Sequence, residues 1–149
     1  MLDPADYPEV LQLHQKVQEL QLEFRKVEAV FSMPEENYIA IEMKTGSEVF
    51  VVPVVDEYED FAQEKPSMAL HLILTECETF EEAEDYLVWA KEVELNASNE
   101  KARQAWLHLR DVVPQIRKLL GNNIQPISAF NYELNTGAAK LLREIDLRN

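Results

Sequence analysis

Two runs of β-branched and aromatic residues, Tyr38–Met43 and Glu48–Val55, flank Lys44-Thr45-Gly46-Ser47 and commit this stretch to an antiparallel hairpin. Such side chains crowd a helix but fit a pleated surface, and a glycine in the loop eases the tight reversal. Pro53 has no N–H to give a ladder, so the second strand is expected to have an edge or a bulge there.

Helical periodicity dominates the remainder. Val10, Leu13, Val17, Leu20, Phe24, Val27 and Phe31 recur at alternating spacings of three and four, an amphipathic helix with a heptad-like seam. Asp6 is placed to cap the amide of Glu9, and Pro8 suits a first turn whose N–H groups lack partners. The helix is expected to end near Lys26. Val27, Ala29 and Phe31 also alternate, so a strand over 27–31 would complete a three-stranded meander.

After the hairpin, 56–67 is a polar, acidic connection. Met68, Leu70, Leu72 and Leu74 alternate and predict a strand, against the helical preference of Ala and Leu. Thr79-Phe80-Glu81-Glu82 has the form of a capping box and predicts a helix to about Leu95, with Phe80, Ala83, Leu87, Ala90 and Val93 inward. Ser98 or Asn99 opens the next helix, whose Ala102, Trp106, Leu109, Val113, Ile116 and Leu120 face the core. Gly121 ends it after Arg117 and Lys118, and Pro114 should kink it. A strand over 127–134 and a short helix over 138–145, capped by Thr136, close the chain. The expected fold is a single α+β domain spanning 1–149: a small antiparallel sheet, hairpin 38–43/48–55 plus one or two further strands, packed against four helices.

Charge is segregated along the chain. Residues 56–95 hold thirteen acids against Lys65 and Lys91, a net −11 of the chain's −14, whereas residues 101–149 carry eight Lys or Arg against four acids. Such a field attracts basic partners and repels nucleic acid and anionic membrane. Arg103, Arg110 and Arg117 fall at seven-residue steps on one helical face, a stripe that can lie against Glu81–Asp85 within the molecule.

The chemistry-bearing motifs are sparse. Gly46, Gly121 and Gly137 stand alone, so neither a phosphate-cradling loop nor a dinucleotide turn can form, and no cofactor is expected. His14, His71 and His108 lack ligand-type partners at helical spacing, and no metal site is assigned. Cys77 lies between Glu76 and Glu78, a setting that raises a thiol pKa and suits a buried apolar role better than a nucleophile. Carboxylate pairs such as Glu78 with Glu82 sit in solvated segments, where their pKa values are not driven apart as acid–base catalysis requires. Asn131–Gly137 is the densest polar-aromatic stretch outside the acidic region and reads as a turn entering a helix.

The resulting expectation is a non-enzymatic, cytoplasmic interaction module whose acidic surface binds a basic protein partner. In size and charge alone it is similar to protein inhibitors of nucleases and to immunity proteins. The surface assigned to that partner comprises Asp56, Glu57, Glu59, Asp60, Glu78, Glu81, Glu82 and Asp85. Two alternatives stand beside it. One is a homodimer or chaperone-like protein using the N-terminal amphipathic helix. The other is an enzyme with a dispersed site, for which His71, Glu42, Arg110 and Tyr132 are candidates.

Overall fold

A computed structural model describes residues 3–55, 65–127 and 137–144. Its elements are α1 (Pro8–Leu20), β1 (Glu23–Val27), β2 (Tyr38–Thr45), β3 (Glu48–Val55), α2 (Pro66–Glu82), α3 (Tyr86–Glu92), α4 (Glu100–Leu120) and α5 (Gly137–Glu144). The architecture is α+β: an antiparallel sheet of order β1-β2-β3 with helices packed around it. The segment expected as a strand over 68–74 is helical, and it adds a helix among the described residues.

The hairpin closes through Gly46-Ser47, with Thr45 opposite Glu48 and Tyr38 opposite Val55. Gly46 has φ +57, the left-handed region favoured by glycine in two-residue loops. β3 is an edge strand. Its Val51 carbonyl and Val55 N–H both point away from β2, to His108 and Glu76 respectively. Pro53 has the same parity, so its missing N–H falls where the ladder needs none.

The third strand exists, four residues earlier than expected. The helix stops at Leu20 because Gln21 adopts a left-handed conformation (φ 52, ψ 46) and Leu22 N–H bonds back to Val17 carbonyl at 2.9 Å. Glu23–Val27 then pairs with β2, setting Glu23 opposite Lys44 and Arg25 opposite Glu42. The heptad spacing through Phe24 and Val27 is therefore coincidental: strand pairing satisfies those backbone groups instead of a helix. Residues 28–31 lie outside any strand. Asp6 does not cap α1. It belongs to a 3-10 turn over Pro4–Asp6 that Asp3 caps, and Tyr7 precedes Pro8 without a side-chain bond.

α2 replaces two expectations. Every residue from Ser67 to Leu74 is buried, so the segment is apolar on all sides and carries no period that separates helix from strand. Pro66 starts the helix, and Thr79–Glu82 forms its final turn rather than an N-terminal box. The chain is extended at Ala83, and Asp85 caps α3 by accepting from Val88 N–H at 3.0 Å. α4 follows its sequence closely. Asn99 accepts from Lys101 N–H at 2.8 Å, Gly121 terminates the helix at φ +92, and Pro114 lies within an otherwise unbroken element. α5 packs against α1 and α2 through buried Leu141 and Leu142. A Cβ at Gly137 would stand 2.0 Å from the Tyr7 hydroxyl, so this position admits only glycine without a shift. Of the strand expected over 127–134, Ile127 is buried outside any strand, and 128–134 lie outside the described residues, as does Thr136.

Candidate interaction surface

The junction of α2, α3 and α4 is organised by aromatic rings. Phe80 packs on Trp106 (6.2 Å), Trp106 on Tyr86 (5.7 Å), Tyr86 on Trp89 (6.2 Å) and Trp89 on Tyr38 (6.3 Å). This ladder runs from the surface to the fully buried Trp89 and fixes α3 against α4 and the sheet.

On that frame the expected acidic residues have different roles. Glu81 is bound by Arg117 through two 2.9 Å bonds, and Arg117 also donates to Ile124 carbonyl at 3.0 Å. The pair neutralises a carboxylate at the C-terminal end of α2, where the helix dipole disfavours it. The Arg117 guanidinium pKa is raised, chiefly by the hydrogen bonds it donates to Glu81. Asp85 is occupied as the cap of α3. Glu78 is half-buried. Glu82 is exposed, as is Glu84 in the adjoining turn. Asp56, Glu57, Glu59 and Asp60 lie outside the described residues.

The Arg stripe divides accordingly. Arg117 pairs with Glu81, Arg103 lies 4.4 Å over the Tyr86 ring, and Arg110 lies 5.3 Å over the Trp106 ring. Between the last two, Leu107 is 40% exposed, and on α3 Leu87 is 65% and Val88 39% exposed. Leu87 was expected to face inward. The break over Ala83–Asp85 resets the helical phase, so that Tyr86, Trp89 and Ala90 face the core. Sequence spacing alone carried no signal of this reset beyond Asp85, a good N-cap three residues before Val88.

The N-terminal seam is consumed internally: Val10, Leu13 and Val17 are buried in the molecule's own core. The dispersed candidates have separate surroundings. Glu42 is held by Arg25 on the sheet (3.0 and 3.2 Å), Arg110 lies on Trp106, and His71 is buried with its Nδ1 accepting from Ile127 N–H at 3.1 Å. Tyr132 lies outside the described residues. Because Nδ1 accepts, neutral His71 carries its proton on Nε2, and burial lowers its pKa to about 4.

A feature hidden in the sequence is Glu76. It is buried, its Oε1 accepts from Val55 N–H at 3.2 Å, and its Oε2 has no hydrogen-bond partner among the described residues. Burial raises its pKa to about 7, opposed by the Val55 bond. Burial and, secondarily, the Glu76 charge hold the Tyr38 phenol well above its usual range. Cys77 is buried and its thiol is pushed up to about 12, by burial first, which leaves it unreactive as a nucleophile.

Among the described residues, no three His, Cys, Asp or Glu side chains gather as a metal site, and no helix is long and apolar enough to cross a membrane. A surface hollow of about 290 Å³ lies beside Val27, Pro34 and Ile39, and neither histidine nor cysteine lines it. No protein-family model matches the chain, and neither a curated protein nor a solved structure shows detectable similarity to it.

Proposed function

We propose that the protein is a non-enzymatic interaction module that docks a basic protein partner on the surface formed by the end of α2 and by α3. The observation that supports this reading most is the pattern at that surface. Exposed Leu87 and Val88 adjoin Glu82 and Glu84, an apolar centre with an acidic edge, as at protein interfaces with a desolvated core and a charged rim. The net −11 of residues 56–95 steers a cationic partner toward it. Glu81 and Asp85 contribute by holding the surface in shape rather than by free charge, because their oxygens are already bonded to Arg117 and to Val88 N–H.

The test is a double charge reversal, Glu82→Lys with Glu84→Lys, which leaves both internal bonds intact. Partners captured by the wild type and by the variant are compared, and the basic proteins among them are purified and titrated against each. Loss of one basic partner by the variant, with an unchanged unfolding midpoint, supports the reading. Equal binding of every partner to both proteins refutes it.

A further inference from the structure

Exposed apolar residues are ordinary when scattered, as Val30 and Val49 are, but three others, Leu87, Val88 and Leu107, lie on two packed helices. Leu87 on α3 follows Tyr86, Leu107 on α4 follows Trp106, and the two rings touch at 5.7 Å. On α4, Arg103, Leu107 and Arg110 share one face at i, i+4 and i+7, so two arginines whose Cα atoms stand about 10 Å apart along the helix bracket the leucine. Each guanidinium is seated over a ring, at 4.4 and 5.3 Å, which orients it, and neither forms an ion pair with a described residue. On the α3 side, Glu82 and Glu84 are exposed and form no ion pair with a described residue. The ledge thus has an acidic half and a basic half with apolar side chains in both.

We propose that this ledge pairs with the same ledge of a second copy of the chain, Leu87 packing on the other copy's Leu107 and Glu82 and Glu84 facing the other copy's Arg103 and Arg110. A two-fold axis places each half opposite its complement twice over, so the contact closes as a dimer instead of propagating as a filament. The surface is the one of the docking reading, but the occupant differs: only the Arg103 and Arg110 half of the second copy is basic. Two bodies of charge −14 repel each other, but across whole molecules, and salt of about 0.15 M screens beyond roughly 8 Å. Contacts at a few ångströms persist. Association therefore passes through a maximum with salt, weak near ~0.01 M, strongest near ~0.15 M and weak again near ~1 M.

The experiment is sedimentation equilibrium of the full chain across that salt series, with three variants. The wild type is expected to dimerise reversibly. Arg103→Glu with Arg110→Glu, and Glu82→Arg with Glu84→Arg, are each expected to be monomeric alone and to dimerise when mixed, because both contacts are then complementary. Leu87→Ser, at a position 65% exposed and therefore tolerant, is expected to weaken association ~tenfold or more without moving the unfolding midpoint. It decides the matter if a charge-swapped chain fails to fold. A wild type that stays monomeric at all salts, or a Leu87→Ser protein that associates normally, overturns the proposal. A monomeric wild type whose basic partner is still lost on reversing Glu82 and Glu84 overturns the dimer alone. A dimer with no such partner upholds the dimer and removes the heterologous docking role.

Discussion

Replacing Glu76 by Gln should make the protein more stable at alkaline pH and leave it nearly unchanged at acid pH. The carboxyl titrates near 4.5 in an unfolded chain and at about 7 in the folded one, where it is fully enclosed. Between those values the native state holds the proton that the unfolded state has released. Stability therefore falls as pH rises, by about 1.4 kcal/mol per unit and about 3 kcal/mol in all by neutral to alkaline pH. Glutamine keeps a carbonyl for Val55 N–H but does not ionise. Glu76→Gln should accordingly match the wild type near pH 4 and exceed it by about 3 kcal/mol above pH 7, roughly 9 °C in midpoint for a chain of this length. Denaturant and thermal unfolding of both proteins at half-unit steps from pH 4 to 8 gives the difference curve. The other charges are common to both proteins and drop out. A difference that does not change with pH, or a variant less stable at pH 8, would refute the account of Glu76 as an unneutralised buried carboxyl.

His71 should produce the opposite slope. Its folded pKa of about 4 lies below the ordinary 6.5, so the native state resists protonation and loses up to about 3 kcal/mol as pH falls through that window. The two slopes offset each other between pH 4.5 and 6.5 in the wild type, and Glu76→Gln should expose the His71 slope in the same melts. Gln21→Gly should raise stability by about 1 kcal/mol, because the residue ending α1 sits at φ 52, where only glycine is unstrained; an unchanged or lower unfolding midpoint would contradict this. Gly137→Ala should cost about 1–3 kcal/mol by pressing a methyl group into the Tyr7 ring, and Tyr7→Phe should relieve part of that loss in a double-mutant cycle. Glu81→Gln should cost about 1 kcal/mol or less at low salt, since Glu81 is 40% exposed, and less again in ~1 M salt; chemical denaturation at both salts measures it.

How far the sequence announced the fold depended on whether an element's determinants were local. The hairpin was legible because both strands and their loop lie within Tyr38–Val55. α4 was legible because Asn99 and Gly121 mark its ends and a single apolar face runs between them. The end of α1 was obscured because a glutamine, not a glycine, takes the left-handed position, and a strand then continued the apolar spacing. α2 was obscured because burial on all sides erases the amphipathic period, leaving Met68, Leu70, Leu72 and Leu74 to imitate a strand. At the candidate surface, acidity was readable as composition, but the use of each acid was not. Glu81 and Asp85 look like Glu82 and Glu84 until α2 ends at Glu82 and Arg117 arrives from 36 residues away. The outward turn of Leu87 depends on the same break. Glu76 gave no warning either, since only the packing of α2 on β3 turns one carboxylate of the acidic run inward.

Recognition of a basic protein by an acidic edge with an apolar centre can be read from capture out of native lysate at ~0.05 M and ~0.5 M salt. Wild type and the Glu82→Lys, Glu84→Lys variant should be run side by side, with bound proteins identified by mass spectrometry and their stoichiometry measured. A basic protein should be held at a fixed ratio by the wild type at low salt, released at high salt and absent from the variant. A partner retained equally by both proteins at both salts, or no basic protein bound at any salt, would contradict it.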